Sequence, residues 1–86
     1  LTTAGLHVER ELALIKVPEP AEAVEALRLA DIFRARPVDT TTESFIFEIT
    51  GPPDKVDSFI ALMRELGLVE VGRTGIVGMM RGAQGA

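Results

Sequence analysis

The sequence predicts an α+β domain of βαββαβ order, a ferredoxin-like sandwich whose four-stranded antiparallel sheet carries two helices on one face. Three observations point there. Residues 8–17, 44–50 and 68–80 carry apolar side chains at strand spacing, residues 20–35 and 56–66 repeat at helical spacing, and Pro18, Pro20, the Gly51-Pro52-Pro53 run and Gly67 punctuate them. An 86-residue chain has room for one domain.

The first strand, "VERELALIKV" (8–17), places Leu12, Ala13, Leu14, Ile15 and Val17 on both of its sides. A strand apolar on both faces is a central one, covered twice, and right-handed crossovers put the first strand of this order in the middle of the sheet. Pro18 and Pro20 end it, and Pro20 suits the first turn of a helix. From Pro20 to about Ala35 the chain is rich in Ala, Leu, Glu and Arg, all strong helix formers. Ala23, Ala26, Leu29, Ala30 and Phe33 share one face of that helix, with Val24 and Ile32 well off it. "RPVDTTTE" (36–43) reads as a short polar strand. In "SFIFEIT" (44–50) Phe45, Phe47 and Ile49 point one way, and Ser44, Ile46, Glu48 and Thr50 the other.

"GPPDK" (51–55) turns the chain into the second helix, where Val56, Phe59, Ile60, Met63 and Leu66 form a narrow apolar stripe. Gly67 is placed to close it in the left-handed conformation. "LVEVGRTGIVGMM" (68–80) is then the last strand. Its glycines do not make a phosphate loop: no GK[ST] follows, no helix follows, and the spacing of Gly72, Gly75 and Gly78 is not GxGxxG. Glycine within a strand marks a bulge or a close neighbour, and Gly72 is the expected bulge. Residues 1–7 are expected to be an arm or linker, 8–81 the ferredoxin-like (ACT-like) domain, and 82–86 a tail.

Composition narrows the function. The chain is 47% hydrophobic without Tyr or Trp and with four Phe, so its core is aliphatic and its apolar surface exceeds what so short a chain can bury. Such a domain completes itself in a homo-oligomer or against a partner. One sheet face meets the helices; Leu12, Leu14, Ile46 and Ile76, assigned to the other, are the candidate subunit interface. Thirteen acidic against nine basic residues, with no basic run, disfavour nucleic acid. The absence of cysteine excludes a disulfide framework and a thiolate metal site, and suits the cytoplasm. No run approaches the ~20 apolar residues of a membrane span, and no signal-peptide pattern is visible.

Catalytic groups are scarce. His7 is the only histidine and lies in the arm without a paired motif, as a solvated side chain or a hydrogen-bonding hinge. No motif pairs any two of Asp54, Asp57, Glu65 and Glu70, and neither a nucleophile elbow nor HExxH is present. No catalytic, cofactor or metal residue is therefore expected. Glu9, Arg10, Glu11 and Lys16 either hold the first strand in register as edge charges or pair with a neighbouring subunit. Arg73-Thr74-Gly75 combines a guanidinium, a hydroxyl and a flexible backbone, and is the candidate partner or anion contact; the plainer reading is a strand-end cap.

Four strings, "HVERELALIKV" (7–17), "RLADIFRARPVD" (28–39), "SFIFEITGPPDKVDSFIALM" (44–63) and "GLVEVGRTGIVGMMRG" (67–82), resemble in order and spacing the second half of the small, regulatory subunit of acetohydroxyacid synthase, also called acetolactate synthase. The resemblance implies a carboxy-terminal domain without catalysis of its own. It also implies binding to, and activation of, a large subunit that carries thiamine diphosphate, Mg²⁺ and FAD and condenses 2-ketoacids in branched-chain amino-acid biosynthesis. In that family valine acts on an amino-terminal ACT domain, which has no counterpart in these residues, so no valine site is assigned. "LTTAG" (1–5) departs from the more acidic linker the family would suggest. Two other classes stay open: a stand-alone ACT-like amino-acid sensor, and a small ferredoxin-like hydrolase or mutase. An acylphosphatase-like anion site needs Arg and Asn, and the chain has no Asn.

Overall fold

The computed structural model describes residues 7–18 and 23–83. Their elements are β1 (His7–Pro18), α1 (Ala23–Phe33), β2 (Arg36–Thr40), β3 (Ser44–Gly51), α2 (Pro53–Glu65), β4 (Glu70–Arg73) and β5 (Val77–Met80). The sheet runs β2-β3-β1-β4, antiparallel throughout, with β1 and β3 central as the two-sided apolar pattern of β1 requires. Both helices cover one face. Expected positions 19–22, including Pro20, and 1–6 lie outside the described residues. His7, assigned to the arm, is instead the first residue of β1.

The core follows the two periodicities. Ala13, Ile15 and Val17 of β1 and Phe45, Phe47 and Ile49 of β3 point into it at every second position, and Val56, Phe59, Ile60 and Met63 of α2 close over them. α1 contributes Ala26 and Ala30, small enough to bring its axis close, and then Phe33, whose ring lies 5.3 Å from that of Phe59. Each fully buried Phe or Ile contributes roughly 1.5–3 kcal/mol relative to exposure. Val24, at 82% exposure, and Ile32, at 59%, remain on the outer side of α1.

The two helices end by the same device with different residues. Gly67 takes φ +89°, with Gly67 N–H donating to the Arg64 carbonyl (3.1 Å) and Leu68 N–H to that of Met63 (3.2 Å), which satisfies carbonyls left free at the end of α2. α1 does this on Arg34, φ +59°, with Ala35 N–H reaching the Ala30 carbonyl (2.8 Å), so it stops at Phe33, short of Ala35. β2 is also shorter than expected. Thr41 Oγ1 accepts the N–H groups of Glu43 (3.1 Å) and Ser44 (3.0 Å), which turns 41–44 into the β3 entry. Pro37 and an irregular register at Val38 keep this exposed edge from templating a foreign strand.

The last strand departs most from expectation. It is broken at 74–76 into β4, paired with Ala13–Lys16, and β5, paired with His7–Arg10. Ala13 stands opposite Arg73 but Arg10 opposite Val77, so three residues face two: a β-bulge. It sits at Gly75, φ +92°, and not at Gly72, which lies in regular β4 opposite Leu14. Thr74 holds it closed. Its N–H donates to the Leu12 carbonyl (3.0 Å), and its hydroxyl accepts the Leu12 N–H (3.1 Å) where a ladder carbonyl would otherwise be. Beyond the bulge β1 and β5 leave the sheet as a two-stranded ribbon, and the molecule measures 49 × 20 × 19 Å. A side chain at Gly75 meets no atom within 4 Å, so Gly75→Ala tests backbone strain alone. It is expected to cost about 1–2 kcal/mol, read as a lower urea midpoint.

Candidate functional site

The sheet face turned away from the helices carries exposed apolar surface that the helices do not cover. Strand alternation places Leu12, Leu14 and Lys16 of β1 on it, with Ile46 and Glu48 of β3 and Glu70 and Gly72 of β4. The registers arrange them in rows: Glu48, Leu14 and Gly72 side by side, then Ile46, Lys16 and Glu70. Because Gly72 has no side chain, the rows enclose a half-open groove of about 220 Å³ lined by Leu14, Lys16, Ile46, Glu70 and Gly72. Leu14 stands 43% exposed on its floor. Two ion pairs frame it, Lys16 Nζ to Glu70 Oε1 at 3.1 Å and Arg36 Nε to Glu48 Oε1 at 2.8 Å. Solvated pairs of this kind fix the position of charge more than they add stability.

Three of the four apolar residues singled out in the sequence, Leu12, Leu14 and Ile46, come together here. Ile76 does not. The bulge at Gly75 shifts the alternation beyond it, so Val77 and Met79, opposite Arg10 and Val8, continue the face of Leu12 and Leu14, whereas Ile76 lies in the break and pairs in neither ladder. Val77 and Met79, exposed to 68% and 75%, are the members that sequence reasoning missed. The sign of them was the Thr-Gly pair in "RTG", a bulge geometry, in place of Gly72.

Arg73, Thr74 and Gly75, singled out as a partner or anion contact, make contacts within the fold. Arg73 makes a two-pronged bond to Glu11, its Nε 3.1 Å from Oε2, and its Nη2 lies 2.8 Å from Asp57 Oδ1 on α2. Thr74 is occupied by the Leu12 backbone. Glu11 is only 5% exposed, the one buried ionisable side chain among the described residues. The Arg73 hydrogen bonds hold its carboxyl below the ordinary carboxylate range, against the opposing effect of burial. The hydrogen bonds of Glu11 and Asp57 raise Arg73 in turn. The guanidinium is thus shared by two carboxylates through Nε and Nη2, while its side chain stays 35% exposed.

The cluster around β1 is therefore divided. Glu11 is an internal pin, Lys16 pairs along the sheet, and the Glu9 carboxylate lies 3.0 Å from His7 Nε2 as its acceptor. Arg10 only reaches the Glu9 carbonyl (2.7 Å) and has no carboxylate partner among the described residues. Among those residues no three His, Cys, Asp or Glu side chains converge as a metal site, and no helix is long and apolar enough to cross a membrane.

Residues 10–82 match a family model described as the small subunit of acetolactate synthase. An Archaeoglobus fulgidus protein named "Probable acetolactate synthase small subunit" is 55% identical over 76 residues, covering 87% of this chain and 48% of that protein. The acetolactate synthase small subunit of Aquifex aeolicus is 46% identical over 77 residues, covering 87% of this chain and 40% of that one. The crystal structure of the acetolactate synthase small subunit from Thermotoga maritima superposes with a TM-score of 0.85 at 42% identity, over 93% of this chain and 50% of that chain. The chain thus spans about half the length of the relatives it matches. With the match running through every described strand and helix, the chain belongs to the acetolactate synthase small-subunit family.

Proposed function

We propose that this chain is the carboxy-terminal domain of a regulatory small subunit of acetohydroxyacid synthase. In this reading it is non-catalytic, self-associates, and helps bind and activate the catalytic large subunit in the cytoplasmic biosynthesis of valine, leucine and isoleucine. The observation that carries the reading is the open sheet face. The core on the helix side is complete, yet Leu14 stays 43% exposed on the other face beside the half-buried Leu12 and Ile46, with an ion pair on either side of it. A face of this kind serves contact with another chain. Thiamine diphosphate, Mg²⁺ and FAD belong to the large subunit here, and this chain acts on them only at a distance. Binding that is tighter to the active conformation of the large subunit than to its resting one shifts the equilibrium by that difference in affinity.

Sedimentation velocity of the chain with the large subunit from its own organism tests the docking. A shared, faster boundary is expected, accompanied by faster acetolactate formation; separate boundaries at all concentrations overturn docking. Leu14→Asp sets an unpaired carboxylate at the centre of the face, which costs several kcal/mol if that face is covered. Its self-association is expected to weaken by at least about tenfold, equivalent to about 1.4 kcal/mol.

A further inference from the structure

We propose that Met79 and Met80, at the end of β5, are a modification site for peroxides, and that the sulfoxide formed at Met79 releases this chain from a chain bound to its open sheet face. The inference rests on the contact role just proposed for that face and adds to it a chemical means of undoing the contact.

Composition confines the chemistry to a few atoms. The chain has no Cys, Trp or Tyr, so its only sulfur atoms are the thioethers of three methionines. The fold sorts these three. Met63 of α2 is fully buried in the core, whereas Met79 is 75% and Met80 45% exposed. Among the described residues β5 pairs only with β1, so the ribbon is two strands wide and solvent reaches both of its sides. Alternation sets the two methionines on opposite sides of it, Met79 across from Val8 and Met80 across from His7. A chain that covers one side of the ribbon therefore leaves the other thioether open.

The reaction is a two-electron oxygen transfer. A sulfur lone pair attacks one oxygen of the peroxide, the O–O bond breaks as the S–O bond forms, and the departing oxygen takes up the proton that the transferred oxygen gives up. The thioether is oxidised to a sulfoxide, and hydrogen peroxide is reduced to water. Two thiols reverse the step on a methionine sulfoxide reductase: the sulfoxide oxygen leaves as water and the thiols become a disulfide. This chain supplies none of those thiols.

The consequence follows from where Met79 stands. Val77 and Met79 continue the apolar stripe of Leu12 and Leu14. A flexible thioether adapts to an apolar contact. Its sulfoxide carries a hydrogen-bond acceptor that such a contact strips of water, which opposes binding. Met80 stands on the other side, and its oxidation leaves the stripe as it was.

Graded hydrogen peroxide tests this, read by peptide mass spectrometry and by sedimentation velocity of the whole chain with and without the large subunit. Sulfoxide is expected first at Met79 and then at Met80, each at least about tenfold faster than at Met63. Oxidation of Met63 at a comparable rate overturns the site. Association is expected to weaken about tenfold as Met79 is oxidised, and to return after treatment with a sulfoxide reductase and thiol. Met79→Leu, compared with itself before and after peroxide, is expected to lose this response, while Met80→Leu keeps it. Complete Met79 sulfoxide with unchanged association overturns the release, as does a response that survives Met79→Leu. Loss of the circular dichroism signal on oxidation would show unfolding in place of release and overturn it too. A chain that never associates, oxidised or not, refutes the contact reading and the release with it, and the order of oxidation still decides the site.

Discussion

Phe59→Ala is expected to lower the thermal midpoint by on the order of 20 °C, from a cost of about 3–5 kcal/mol at about 4–8 °C per kcal/mol for a domain this small. Phe59 is fully buried in the middle of α2 and packs against Phe33 of α1, so it joins the two helices as well as filling the core. The backbone around it, held by the sheet on one side and α1 on the other, has little room to collapse into the cavity. Small domains hold only about 5–10 kcal/mol in total, so this one substitution removes a large share. The comparison is Val24→Ala, at a position 82% exposed, where a change within about 0.5 kcal/mol is expected. Both melts belong at the same protein concentration, because association raises the apparent midpoint. A shift of only a few degrees for Phe59→Ala would mean that the helices do not depend on this contact.

Arg73→Met is expected to produce the largest fall in stability of any single charge removal in the chain, and a fall that depends on pH in a defined way. In the wild type the folded-state pKa of Glu11 lies below its ordinary value of 4.5. The stabilisation linked to it is fully present above that value and is lost as pH falls through the folded-state pKa. Removing Arg73 leaves the 5%-exposed carboxylate with burial as the dominant influence, which favours its neutral form. The gap between wild type and variant should therefore be widest near pH 7 and narrow below about pH 4.5, where the carboxyl can take up a proton. Adding Glu11→Gln to Arg73→Met should restore part of the neutral-pH loss, because no uncompensated charge then remains inside. Urea unfolding of the wild type and the two variants at pH 7 and pH 4 reads this directly. A gap that is constant with pH would show that Arg73 acts through packing and not through its charge.

These two residues mark how far the sequence could be read. The Phe59 stripe is a repeat within one helix, and its neighbours on the stripe announce its burial. The two-sided pattern of β1 likewise announced a central strand. Arg73 and Glu11 are 62 residues apart, and no local pattern joins them. The one available sign was that Glu11 stands in phase with Ala13, Ile15 and Val17, so a carboxylate among inward-facing residues had to find a cation inside. The bulge was hidden for a different reason. "VGRTGIVGMM" satisfies strand alternation whether or not it slips by one residue, and only pairing with β1 decides which glycine slips. Ile76, read as part of a continuous strand, falls instead in the break between β4 and β5. At α1, the left-handed closing residue is Arg34, which carries no composition signal, unlike Gly67.

The ribbon joins His7–Arg10 to Val77–Met80, the earliest and latest strands described, and so closes the longest loop of the fold. Contacts between such distant segments form late, after local and shorter-range pairings have organised. On the ribosome β5 is the last of these strands to emerge. A nascent chain can pair β1 with β3 under its helices while the ribbon is still impossible, since half of it has not been made. Contacts that require the ribbon are then withheld until synthesis has run through Met80. The geometry therefore ties such contacts to the synthesis of β5 itself.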